Sequence, residues 1–226
     1  MIIKCGISGI DKMALLIKCG VDCLGLNFKK DSSDCLRMIS SNSGIFPDYP
    51  DTRFIEQISE MNKSACNFTL TGVFADDMPQ NIITRISNYH LDYVQLDGDE
   101  SRVMIENLRR SVVPDIASKL GIIKAVTLNT LADLEICATY EGVVDYFIFK
   151  PGADICHKEL CHILNNFDGT TPYIIYGVKS NQSEDCFFES KCHKMFAGIE
   201  LDQDFICGEE AVDIDNIRKM IHKYGE

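Results

Sequence analysis

Leu91-Asp92-Tyr93-Val94-Gln95-Leu96-Asp97-Gly98-Asp99-Glu100 reads as a short strand, Tyr93–Leu96, running into a helix over Glu100–Arg110. The same strand-then-helix unit recurs on both sides. Upstream stand a strand Ile2–Ile7 with a helix Asp11–Cys19 closed by Gly20, a strand Cys23–Phe28, a polar stretch Lys29–Thr52, a helix Arg53–Met61, and a strand Thr69–Phe74 whose helix starts at Asp77-Met78-Pro79. Downstream stand strands Gly121–Val126, Tyr146–Phe149, Thr171–Tyr176 and Met195–Ile199. Helices over Thr130–Tyr140, His157–Asn165, Ser183–Cys192 and Val212–Tyr224 alternate with them. Near-continuous apolar strands are the pattern of a parallel sheet buried on both faces, and each parallel crossover needs a covering element. The expected fold is therefore α/β, a (β/α)8 TIM barrel formed by residues 1–226 as a single domain. An open doubly wound sheet is the rival. Its glycine-rich first turn is poorly matched by Gly6-Ile7-Ser8-Gly9.

Length and composition agree with one domain. The chain has 226 residues, 46% hydrophobic and 25% charged, with no linker or low-complexity tract. Its net charge of −12 repels a polyanion, so nucleic acid is not an expected partner. A small anion remains open, because backbone N–H groups bind phosphate locally. No apolar run is long enough to cross a bilayer and no signal peptide is visible, so the expected location is cytoplasmic with no membrane partner. Eleven cysteines without an export signal are expected to be thiols. Cys156, Cys161 and Cys192 are expected to be accessible to oxidation.

Four segments, in order, carry a family resemblance. They are Lys4-Cys5-Gly6-Ile7-Ser8, Gly20–Phe28, Leu91–Glu100 and Ala197-Gly198-Ile199-Glu200. They resemble the first, second, fourth and eighth strands of phosphoribosylanthranilate isomerase, a tryptophan-biosynthesis enzyme; the fourth, which usually reads VQLHG, is the most specific. The chain thus resembles a diverged member of that family. The resemblance implies an Amadori rearrangement in which an acid protonates the furanose ring oxygen and a base removes the C2′ proton. It puts the base at Cys5, at the end of the first strand, and the acid at Lys150, where an aspartate is expected. Asp145, at the other end of that strand, is about 16 Å away at roughly 3.3 Å per residue and cannot substitute.

Other departures follow. The fourth-strand histidine is Asp97, the arginine after strand two aligns with Asp34 with Arg37 out of register, and the paired glycines after strand seven become Gly177-Val178. The strand-eight aspartate aligns with Lys194, and a serine near the phosphate becomes Ala197. Gly152–His157 replaces a glycine-rich loop. Gln95, Asp97 and Asp34 are the expected substrate-binding residues, and Gly177, Lys179 and Gly198 the expected phosphate-binding ones. Lys150 has two readings, a Schiff-base nucleophile if desolvated or a plain charge if paired with Asp97 or Asp154; pairing is favoured. No cofactor is expected. His157 and Cys161 would need two further ligands for zinc; Cys192-His193 is the available pair, but adjacent helix residues point different ways, so no metal is expected either.

The expected function is an isomerase-like barrel binding a phosphorylated small molecule, with ordinary isomerase activity weak or lost. The alternative is a catalytically silent barrel acting as a binding or scaffold protein. Substrate and oligomeric state are not legible.

Overall fold

The computed structural model describes residues 1–7, 12–32, 35–36, 56, 58, 60, 68–113, 115–179, 193–202, 205 and 213–225. Its strands are β1 (Ile2–Ile7), β2 (Cys23–Asn27), β3 (Thr69–Phe74), β4 (Tyr93–Leu96), β5 (Gly121–Leu128), β6 (Tyr146–Pro151), β7 (Tyr173–Val178) and β8 (Phe196–Leu201). They close into a parallel barrel in chain order, β8 returning to pair with β1. The expected architecture is found. β1, β3 and β4 have the expected bounds, β5 and β6 run two residues further, and β7 and β8 both end two residues later than expected.

Alternation along each strand sorts the side chains. Gly6, Gly25, Asn27, Gln95 and Glu200 line the open mouth, so their neighbours Cys5, Leu24, Leu26, Leu96 and Ile199 face the helices. The outer layer is a continuous apolar core that includes Met13 and Leu16 of the first helix, Met13–Lys18. The helix Pro79–Tyr89 begins with proline at its first turn, buries Ile82, Ile86 and Tyr89 on one face, and stops at His90 in the left-handed region. In Arg102–Val112 the Ser101 hydroxyl accepts from the Met104 N–H at 3.2 Å, and Ile105, Leu108 and Val112 form the buried stripe.

The helix expected over Thr130–Tyr140 is instead a 3-10 turn, Leu131–Ile136, followed by one α turn, Cys137–Tyr140. Asp133 Oδ2 accepts from the N–H groups of Asn129 and Thr130 at 2.7 and 2.8 Å, which holds the first turn tight. Of Arg53–Met61 only Glu56, Ile58 and Glu60 are described, as helix. The stretch expected as Ser183–Cys192 lies outside the described residues.

Candidate functional site

The C-terminal mouth of a parallel barrel gathers the strand ends and the loops that follow them. Here β4 and β6 bring Asp97 and Lys150 together, with Lys150 Nζ 2.6 Å from Asp97 Oδ2. The same oxygen receives Lys29 Nζ, from the loop after β2, at 2.9 Å. Gln95 Nε2 donates to Asp97 Oδ1 at 2.7 Å. Burial alone would raise the Asp97 pKa, but Lys150, Gln95 and Lys29 outweigh it and hold the carboxyl down at about 2. Lys150 Nζ also lies 4.7 Å from the centroid of the Tyr176 ring, a cation–π contact. The pairing with Asp97 is the expected arrangement for Lys150.

Asp97 walls two cavities. One, of about 270 Å³, is lined by Gly25, Asn27, Gln95, Tyr176, Glu200 and Asp202 among others. The second, of about 470 Å³, lies toward β5 and is walled by Lys124, Thr127, Asp133, Ile136 and Tyr140. At the floor of the first, Lys4 and Glu200 form a buried ion pair between β1 and β8. Burial opposes the Lys4 charge, yet the Glu200 carboxylate beside it raises the Lys4 pKa above the usual value. Tyr176 is pushed up to about 12 by burial and by the carboxylates of Glu200, Asp202 and Asp97. A third cavity, of about 300 Å³, opens at the opposite end among Ile2, Phe68, Tyr93, Ile123, Tyr146 and Ile174. Asp22 on its wall already accepts the Ile3 N–H at 3.0 Å. Active sites of such barrels form at the C-terminal face, away from this cavity.

Gln95, Asp97 and Lys150 therefore converge. Gly177 is at the same end, at φ +75, with its missing Cβ 3.7 Å from His157 Nε2 and 3.8 Å from Asp202. Lys179 follows β7 and is exposed. Two expectations are corrected. Cys5 does not stand at the mouth: it is fully buried in the outer core with Met13 and Leu16, and burial followed by the Glu200 charge pushes its thiol up to about 12. Gly198 is at the other end of β8, paired with Ile2, where a Cβ would sit 2.0 Å from the Ile2 carbonyl oxygen. It serves barrel closure. Asp34, Arg37 and Cys192 lie outside the described residues. Cys161, expected to be accessible, is buried, while Cys156 is exposed. Among the described residues no group of three His, Cys, Asp or Glu could hold a metal ion. None of their helices is long and apolar enough to cross a membrane.

Sequence reasoning missed Lys4, Lys29, Tyr176, Glu200 and Asp202. Lys4, Glu200 and Asp202 share the even register of β1 and β8 and its extension. That register was the available signal. Lys194 precedes β8, and the acid that β8 itself brings to the mouth is Glu200, with Asp202 just past its end.

The sequence profile of N-(5'phosphoribosyl)anthranilate (PRA) isomerase matches residues 25–153. The chain is 28% identical over 179 residues to N-(5'-phosphoribosyl)anthranilate isomerase of Parabacteroides distasonis, covering 76% of this chain and 77% of that one. To the Phocaeicola vulgatus protein of the same name it is 27% identical over 210 residues, 91% of this chain and 88% of the other. The solved phosphoribosyl anthranilate isomerase of Thermotoga maritima superposes with a TM-score of 0.68 at 18% identity, covering 100% and 99% of the two chains. Another solved isomerase, in complex with reduced 1-(o-carboxyphenylamino)-1-deoxyribulose 5-phosphate, superposes at 0.69 with 16% identity and coverage of 100% and 99%.

Proposed function

This chain belongs to the N-(5'-phosphoribosyl)anthranilate isomerase family, and from that premise we propose that its mouth binds a phosphorylated small molecule while isomerisation of phosphoribosylanthranilate is weak or lost. The observation that carries this reading is the Lys150–Asp97 pair at 2.6 Å. The family resemblance calls for a carboxylic acid at position 150 and a histidine at 97. This chain has a cation on β6 and a carboxylate just past the end of β4. The exchange leaves an ion pair in the mouth and no carboxylic acid at position 150. Asp97, held at about 2, is ionised at neutral pH and has no proton to give a furanose ring oxygen. Lys150 is engaged by that carboxylate and by the Tyr176 ring.

The base position supports the same reading. A C2′ proton bound in the mouth is out of reach of a thiol on the helix side of β1, and a thiol near 12 supplies almost no thiolate at neutral pH. Loss of general acid–base assistance lowers rates by about 10²–10⁴-fold. For the phosphate we assign the β7 end, where Gly177 offers bare backbone and Lys179 a charge.

Growth complementation of a strain lacking the isomerase, with assay of purified protein on phosphoribosylanthranilate, tests the catalytic half. Growth and ordinary turnover would sink it. Borohydride treatment with sugar phosphates and keto acids, read by intact mass, is expected to leave Lys150 unmodified. A Lys150 adduct, absent from Lys150→Arg, would make this a Schiff-base enzyme instead.

A further inference from the structure

The cavity of about 300 Å³ at the end of the barrel opposite the mouth is walled chiefly by Ile2, Phe68, Tyr93, Ile123, Tyr146 and Ile174. Layers of side chains normally fill a barrel interior. This layer stays open because β2 and β3 begin with the small Cys23 and Thr69, where β4 and β6 begin with Tyr93 and Tyr146. Its two sides are unlike. Toward β5–β7, Ile123, Ala125, Ile148 and Ile174 form an apolar cluster of their own, with Ile2 and both tyrosines packed against it. The tyrosine rings meet edge to face, 6.0 Å between centroids. Toward β2 and β3 the wall ends in a carboxylate. Cys23 pairs with Thr69, so the residues one step before them, Asp22 and Phe68, are neighbours at the rim. The Thr69 N–H donates to the Asp22 carbonyl at 2.9 Å, which fixes that corner. Asp22 is exposed, accepts the Ile3 N–H through Oδ2 at 3.0 Å, and has no cation beside it among the described residues.

We propose that this cavity binds a primary arylalkylammonium ion, its ring among the isoleucines and its ammonium at the rim between Asp22 and Phe68. Charge decides the sign of the ligand. Among the described residues no lysine, arginine or histidine lines the cavity. Arg109, at the same end of the barrel, is taken by Asp145 and by the carbonyls of Leu120 and Val143. Lys4, deeper in, is taken by Glu200. Asp92 and Asp145 stand at the same end, accepting the N–H groups of Leu70 and Ile122 at 2.8 and 2.7 Å. An anion would enter this field with nothing to pair it. A neutral hydrocarbon would fill the apolar side and leave Asp22 unused. A cation meets a carboxylate and an aromatic face together, the pairing that holds organic ammonium ions. Size decides the rest. A dry cavity of roughly 150 Å³ takes one benzene. About 300 Å³ therefore holds a phenyl ring with a short carbon chain. The site is separate from Asp97 and Lys150, which stand at the other end of the strands.

Calorimetric titration of the full chain at about 0.15 M salt compares phenethylammonium with 3-phenylpropionate, which reverses the charge, and with ethylammonium, which lacks the ring. Phenethylammonium is expected to bind at least about tenfold tighter than either. In 13C-methyl spectra Ile123 and Ile174 are expected to shift on titration, while Ile7, at the mouth, stays in place. Asp22→Asn keeps an acceptor for the Ile3 N–H and removes the charge, so it should cut the preference over phenylpropionate about fivefold or more. Ile174→Phe fills the cavity and should abolish the shift of Ile123. Each variant is checked for a native melting transition. If Ile174→Phe does not fold, the ligand comparison on the native chain and Asp22→Asn decide. Equal binding of the three ligands overturns the proposal, as do shifts at Ile7 in place of Ile123 and Ile174. A folded Asp22→Asn that keeps the full preference overturns it too. A dimer seen by light scattering, broken by Ile174→Phe and indifferent to phenethylammonium, would give the cavity to a second copy of the chain and equally overturn it.

Discussion

Asp97 carries two lysines on one oxygen and an amide on the other. Its carboxyl is depressed from 3.8 to about 2 in the folded chain. A depressed carboxyl stabilises the fold above its unfolded pKa, and the contribution disappears as pH falls through the folded value. Native protein minus Asp97→Asn should therefore show a stability difference that is constant above about pH 5 and shrinks by about 2 kcal/mol as pH falls toward 2. Chemical denaturation at a series of pH values measures it; a difference independent of pH would mean the lysines do not hold the charge. Cys5 gives the opposite kind of residue. Cys5→Ser puts a hydroxyl into an apolar shell, so it should destabilise by about 1–3 kcal/mol while leaving ligand binding at the mouth unchanged. Urea unfolding beside titration with inorganic phosphate checks both parts, and loss of binding without loss of stability would return Cys5 to the site. The placement of Cys5 was not legible from its motif because side chains alternate at period two. A one-residue difference in register sends a strand residue to the other face. Gln95, Asp97 and Lys150 were legible because their strands, β4 and β6, begin where the sequence put them.

Elements were legible where apolar runs were uninterrupted. β8 was not, and the reason is Glu200. A glutamate read as the end of a strand is in fact an interior residue, kept there by Lys4 from β1. β7 likewise continues through Gly177 to Val178. Both errors displaced the mouth by two residues, which hid Tyr176 and Asp202 and gave Gly198 a role at the wrong end. The β1–β8 seam now makes its own prediction. An alanine Cβ at position 198 would lie 2.0 Å from the Ile2 carbonyl oxygen, whereas at Gly6 it would meet nothing within 4 Å. Gly198→Ala should lower stability by about 1–3 kcal/mol or more, since backbone must move. Gly6→Ala should leave stability near native. Equal unfolding midpoints for the two variants would show that the seam tolerates a methyl group.

At the scale of the whole molecule, fold and family were both legible, because they rest on the alternation of eight strands with covering elements and on motifs spread along the chain. Net charge is also a whole-molecule property, and at −12 it opposes an anionic ligand arriving from solution. The local cations at the mouth, Lys29 and Lys150, share a carboxylate and project a weaker field. Screening falls from about 30 Å at 0.01 M salt to about 8 Å at 0.15 M. The association rate of a sugar phosphate should therefore rise with added salt across that range. Stopped-flow tyrosine fluorescence is suitable, as the chain has no tryptophan. A rate that falls with salt would show that the mouth, not the net charge, governs approach.

Barrel closure pairs Ile2–Cys5 with Gly198–Leu201, joining the first strand of the barrel in chain order to its last. At about 5–20 residues per second, the interval between their syntheses is on the order of ten to forty seconds. Through that interval β1 has an edge with no neighbour, the condition that invites pairing with a strand of another nascent chain. Lys4 stands in the middle of that edge with its carboxylate not yet translated. An inward cation resists intermolecular sheet growth while it is unpaired. It becomes acceptable in the interior only when β8 delivers Glu200. On this argument the unpaired Lys4 is expected to guard the open edge of β1 until β8 arrives with the carboxylate that neutralises it.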